Sequence, residues 1–70
     1  MSKIDEAILN IDKLSKQDLT HMIALCDKSV KQTEEKIKNA NITLLKLKLA
    51  NKRDDLKHKR QIFVSKFHQV

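Results

Sequence analysis

The stretch that decides the fold is LTHMIALCDKSVKQTEEKIKNANITLLKL, residues 19–47. Apolar side chains recur in it at alternating steps of four and three residues, which places them on one side of an α-helix. We call this set the seam, and we predict that it packs against another helix in an oligomer. Its members are Leu19, Ile23, Cys26, Val30, Ile37, Leu44 and Leu47, with Thr33 and Ala40 completing the periodicity.

Composition limits the chain to one small all-α domain, residues 1–70. There is no glycine and no proline, the residues that tight hairpin turns and phosphate-binding loops need. A chain of this length buries a small core. Its single cysteine, Cys26, cannot close an internal disulfide, and no zinc-ligand spacing is present. We therefore expect an oligomer or a partner protein to stabilise the fold, with Cys26 in the core.

Two serines mark the starts of helices. Ser2 followed by Asp5 is typical of an N-cap and predicts a short helix over about residues 3–14. Ser15 followed by Asp18 is a fuller signal, because Leu14 and Leu19 also occupy the two positions of a hydrophobic staple. The sequence thus predicts a corner between Leu14 and Ser15, where a long helix begins.

Beyond the seam, a second apolar stripe recurs at intervals of seven residues. It contains Ile42, Leu49, Leu56, Phe63 and Val70. The chain could turn near residues 39–41 and form two helices, over about 15–38 and 42–67. It could instead continue as one long helix with a rotating buried face. Equal arms favour a coiled-coil-like hairpin, with an asparagine in the left-handed conformation at the turn; the missing glycine disfavours it. We expect the hairpin, and we expect the second stripe to meet a partner.

The net charge of +6 is unevenly distributed. Residues 1–40 hold seven basic and seven acidic residues, whereas residues 41–70 hold eight basic residues against Asp54 and Asp55. Helical spacing places six of these cations beside the second stripe, as a basic flank: Lys46, Lys52, Arg53, Lys59, Arg60 and Lys66. Such a flank could bind the phosphates of a nucleic acid, form the rim of a contact with an acidic protein groove, or be a solvated surface.

Residues typical of catalysis are not arranged for it. His21, His58 and His68 lack the spacing that places two imidazoles on one helical face. Glu34 and Glu35 are adjacent, so they point about 100° apart on a helix. We predict no enzymatic activity and no cofactor. The longest apolar run, residues 42–50, contains two lysines and is too short to span a bilayer. We therefore expect a cytoplasmic protein without a membrane partner.

Part of the chain resembles a known family. Ser15, Leu19, Met22, Ile23, Cys26, Val30 and Glu35 are spaced as in the oligomerisation region of H-NS-type nucleoid proteins, and the resemblance covers residues 4–38. That region also has a short helix, a corner and a long coiled-coil helix. The family's glycine-containing DNA-binding domain is absent from this sequence. The resemblance therefore implies dimerisation, and an action by joining or disrupting the oligomers of a larger relative.

These observations favour a non-enzymatic helical module that binds a partner protein with a helical or acidic-rimmed groove, as an adaptor, regulator or co-chaperone. The alternative is a small nucleic-acid-associated or H-NS-like modulator that uses the basic C-terminal half.

Overall fold

A computed structural model describes residues 2–70 as three α-helices. Helix α1 spans Lys3–Leu9, α2 spans Lys16–Asn39 and α3 spans Thr43–Gln69, with one turn of 3-10 helix over Ile11–Lys13. Helices α2 and α3 form an antiparallel hairpin, and α1 packs against one side of it. The all-α hairpin predicted from the sequence is confirmed, and the single long helix is excluded.

Both predicted helix starts are present. The Ser2 hydroxyl accepts a hydrogen bond from the Asp5 amide at 3.2 Å, which caps α1. At Ser15 the capping box is complete, because the Asp18 amide donates to the Ser15 hydroxyl and the Ser15 amide donates to the Asp18 carboxylate, each at 3.1 Å. These bonds satisfy amides that have no partner within the helix. The N-terminal helix is shorter than the predicted 3–14, because α1 ends at Leu9 and the 3-10 turn follows.

The hairpin turn differs from the prediction in its backbone. Ala40 (φ −77°, ψ 136°) and Ile42 (φ −103°, ψ 123°) are extended, and no residue among 2–70 has a positive φ. The expected left-handed asparagine is therefore wrong. A short extended connection reverses the chain without a left-handed residue, the conformation for which glycine is preferred. This explains how a hairpin forms in a chain without glycine.

The core lies between the two long helices. Leu19, Cys26 and Phe63 have no exposed surface, and Ile4, Met22, Val30 and Leu56 are also buried. The seam therefore does pack against a helix, but that helix is α3 of the same chain. Ile23 and Ile37 are half-buried at its edge. Leu44 and Leu47 are 63% and 58% exposed on α3, so they lie outside the core of this chain, and their place in an oligomer seam stays a prediction.

The second stripe also differs from its predicted role. Leu56 and Phe63 are buried against α2, and Leu49 is half-buried. Only the two ends of the stripe, Ile42 and Val70, are exposed. The physical reason is that an antiparallel hairpin brings the two apolar stripes together, and each covers the other from water. The division into a folding seam and a free partner stripe is therefore corrected.

Candidate partner-binding surface

Two ion pairs hold the N-terminal segment, α1 and the 3-10 turn after it, on the hairpin. Lys59 Nζ lies 2.7 Å from Asp5 Oδ1, and Lys66 Nζ lies 2.9 Å from Asp12 Oδ1. The two acids are seven residues apart, and so are the two lysines. The N-terminal segment therefore runs parallel to α3, with one ion pair from α1 and one from the 3-10 turn, seven residues apart. Ile4, Ala7, Ile8 and Ile11 contribute apolar contacts between these pairs.

Lys59 is the most highly connected cation of this arrangement. It also contacts Asp55 Oδ2 at 2.8 Å, so two carboxylates share one ammonium group. Hydrogen bonds from Lys59 and from the Ser2 hydroxyl lower the pKa of Asp5. The same contacts with Asp5 and Asp55 raise the pKa of Lys59. Each group thus favours the charged form of the other.

The hairpin extends beyond the part that α1 covers. Past the N-terminus of α1, an open groove of about 370 Å³ continues between α2 and α3. The buried side chains of Thr33 and Leu56 contribute to its lining, and exposed Lys36 and Lys52 lie along it. The Thr33 hydroxyl donates to the Ser29 carbonyl oxygen at 2.8 Å, so its donor hydrogen is satisfied inside α2. The groove thus combines apolar surface with two cations from opposite helices.

The end of the hairpin exposes large apolar side chains. We call residues 40–48 the tip. Its exposed apolar members are Ile42 (64%), Leu44 (63%), Leu45 (45%) and Leu47 (58%). Residues 36–53, which contain the tip, carry six cations and no acidic residue: Lys36, Lys38, Lys46, Lys48, Lys52 and Arg53. Several large exposed apolar side chains close together in the chain and bordered by charge are typical of an interaction site.

Most of the predicted basic flank serves contacts inside the chain. Arg60 Nε lies 2.6 Å from Asp27 Oδ1 on α2, and Arg53 Nε lies 3.2 Å from Asp54 Oδ1. Together with Lys59 and Lys66, four of the six flank cations have a carboxylate partner. Lys46 and Lys52 have no ion pair among residues 2–70. The basic excess that remains available is therefore concentrated near the tip.

Cys26 is completely buried at the centre of the seam. Burial, and to a smaller extent the neighbouring Asp27 carboxylate, raises the pKa of its thiol. A thiol reacts as the thiolate, so the raised pKa lowers the reactivity of Cys26. Its burial makes it a core residue. Within residues 2–70, no group of three or more histidine, cysteine or acidic side chains is placed to hold a metal ion.

No family model matches this chain, and neither a curated protein nor a solved structure does. The resemblance to H-NS-type proteins therefore stays a prediction. No described helix combines the length and the apolar character needed to cross a membrane.

Two residues of this surface belong to neither predicted stripe nor to the predicted flank. Leu45 lies seven residues before Lys52, in the same row as Lys59 and Lys66, and Lys36 lies opposite on α2. The seven-residue interval between Leu45 and the lysine row is visible in the sequence. The position of Lys36 depends on how the hairpin closes, and no local pattern indicates it.

Proposed function

We propose that this chain is a non-enzymatic helical module that binds a helix of a partner protein, as an adaptor, regulator or co-chaperone. The observation that carries the proposal is the apolar tip, on the half of the hairpin that α1 leaves uncovered. Four large apolar side chains between 45% and 64% exposed stand there, beside half-buried Leu49. Covering them with a partner would remove apolar surface from water, which is the main driving force of such contacts.

The charge around the tip indicates the sign of the partner's surface. Six cations lie within residues 36–53, and no acid does. Contact between the tips of two copies would bring like charges together, whereas an acidic partner would neutralise them. We therefore place an acidic partner protein first and self-association second. Binding of an acidic partner should weaken as salt is added, and tip-to-tip self-association should strengthen.

A test is crosslinking in the native host, with mass spectrometry of what the tagged chain captures. The wild-type chain and a Leu9→Asp control should capture the same protein, because Leu9 is 71% exposed but lies on α1. The double variant Leu44→Asp/Leu45→Asp should lose that protein. Equal capture by all three chains would contradict a role for the tip.

Nucleic-acid association through the basic half is the second candidate. The uncompensated charge near Lys46 and Lys52 favours it, but the pairing of Arg53, Lys59, Arg60 and Lys66 weighs against it. If phosphates were the ligand, affinity for random duplex DNA should fall steeply with salt, and the slope should decrease by about one unit for each contacting lysine replaced.

A further inference from the structure

Helix α1 shows what kind of helix this hairpin accepts. It lies parallel to α3 and places Asp5 on Lys59, and the 3-10 turn that follows it places Asp12 on Lys66. Both pairs share one offset, 54 positions between acid and lysine. The seat of the N-terminal segment is thus an apolar groove that takes a short helix and a 3-10 turn, beside a row of lysines that takes a carboxylate at an interval of seven residues. A continuous amphipathic helix with acids seven residues apart would match the same interval.

The row of lysines is longer than the helix that uses it. Lys52 lies one further interval of seven before Lys59, is exposed, and has no carboxylate within 4.0 Å among residues 2–70. Helix α1 begins at Lys3, so it does not reach the level of Lys52. The groove continues there with Thr33 and Leu56 in its lining and Lys36 on the far side. Leu45, 45% exposed, lies one more interval towards the tip.

We propose that the part of the groove beyond α1 is the seat of the partner helix, which lies end to end with α1 and places an aspartate or glutamate on Lys52. This inference rests on the proposed function and specifies the partner: an amphipathic helix with acidic residues seven apart beside an apolar stripe. From residue 43 to residue 56, α3 rises about 20 Å, which is room for about four helical turns. The bound helix would complete a three-helix bundle along the full hairpin.

Charge in the groove supports an acidic occupant. Its lining holds Lys36, Lys52 and Lys59 together with Asp5 and Asp55. Lys59 is already shared by both of those acids. The charge left for an occupant is therefore that of Lys36 and Lys52. A second copy's tip would bring further lysines to this position, so insertion of a second copy's tip into the groove is electrostatically opposed.

The experiment uses NMR, which detects weak binding. The ¹⁵N-labelled full chain is titrated with a capped peptide of residues 2–14, because this segment already has acids seven apart and an apolar stripe. We expect saturable amide shifts along residues 33–37 and 45–56. Replacing both peptide aspartates by asparagine should weaken binding about fivefold, the effect of losing one favourable, partly exposed ion pair.

Protein variants then test the residue assignment. Lys52→Glu should weaken binding by about fivefold or more, while Lys57→Glu, an exposed α3 lysine outside the groove lining, should not change it. A peptide with lysine in place of both aspartates should bind Lys52→Glu better than it binds the wild-type chain. Circular dichroism verifies that each variant is folded.

Several results would overturn the inference. Shifts confined to residues 16–25 and 59–67 would mean that the peptide only displaces α1. If Lys52→Glu bound the peptide as tightly as the wild-type chain does, the ion pair with Lys52 would be wrong. Absence of peptide binding, with Lys52-dependent binding to phosphatidylserine vesicles or duplex DNA, would assign the groove to phosphates. If a partner from the crosslinking experiment bound Lys52→Glu normally but not the tip variant, the proposed function would stand and this seat would fall.

Discussion

Phe63 is the largest completely buried side chain among residues 2–70. Replacing a buried phenylalanine by alanine usually costs about 3–5 kcal/mol. A 70-residue domain has a total stability of roughly 4–10 kcal/mol. We therefore expect Phe63→Ala to unfold the chain or to leave it barely stable, as measured by urea denaturation followed by circular dichroism.

The matched control for this prediction is Leu47→Ala on the same helix. Leu47 is 58% exposed, so its truncation creates no cavity and should change stability by less than about 0.5 kcal/mol. If the two variants were equally stable, Phe63 would not be a core residue, and the packing of α3 against α2 would be wrong.

Asp5 should make stability depend on pH in the acidic range. Its pKa in the folded chain lies below the ordinary value of 3.8, first because of the hydrogen bond from Lys59 and then because of Ser2. A lowered folded pKa means that the contact stabilises the fold above the unfolded pKa, and that this contribution is lost as pH falls through the folded pKa. Asp5→Asn should therefore be less stable than the wild type near pH 6, and the two should converge towards pH 2.

Chemical denaturation at a series of pH values measures this difference. The control is Glu6→Gln, which removes an acid from the same helical turn but no ion pair found among residues 2–70. A difference between wild type and Asp5→Asn that stayed constant from pH 6 to pH 2 would contradict the role of the Asp5 carboxylate.

Among the elements, the start of α2 is the one that local chemistry determines most completely. Ser15→Ala removes the hydroxyl of the capping box and should cost about 1 kcal/mol. Ser65→Ala, at an exposed position inside α3, removes the same hydroxyl from a helix interior and should be neutral or slightly stabilising. Thermal melts of both variants provide the measurement, and similar losses would place the helix start elsewhere.

The backbone of the turn between α2 and α3 predicts that a glycine introduced there destabilises the fold. At a left-handed position, glycine in place of Asn41 would stabilise the hairpin. Here no described residue has a positive φ, so Asn41→Gly adds only freedom to the unfolded chain. It should cost about 0.4–1 kcal/mol. A gain in stability would show that the turn is left-handed after all.

The same elements show how far a sequence of this type can be interpreted. Both N-caps, the corner at Ser15 and the hairpin follow from local signals, since capping bonds and apolar periodicity involve neighbours along the chain. The assignment of roles to the two stripes failed because Leu56 and Phe63 are buried by residues about thirty positions away, and periodicity alone does not say which stripe covers which. Lys52 was predicted as a flank residue, but its position beyond α1 in the row of lysines depends on where α1 begins against α3.

At the scale of the whole molecule, the hairpin is unevenly supported along its length. The described chain measures 43 Å by 18 Å by 16 Å. Helix α1 adds to the core beside the C-terminal half of α3, whereas only α2 and α3 meet near the tip. Four of the six exposed large apolar side chains lie at the two-helix end. Local opening free energies follow the density of buried contacts, so the two-helix end is the part of the fold that a partner would stabilise most.

Because Cys26 is buried, the rate at which its thiol is alkylated reports how often the chain unfolds. The thiol has no exposed surface and its pKa is raised by burial. An alkylating reagent therefore reaches it only after α2 and α3 have separated. We expect labelling of the native chain to be about a thousandfold or more slower than labelling in urea, if separation requires global unfolding. A bound partner should slow the labelling of Cys26 further, and Phe63→Ala should accelerate it. The mass of the labelled chain, followed over time, gives the rate. Labelling as fast in the folded as in the unfolded chain would mean that the seam is open to solvent. Because this is the chain's only cysteine, a single mass increment reports each molecule that has opened, and no probe has to be introduced.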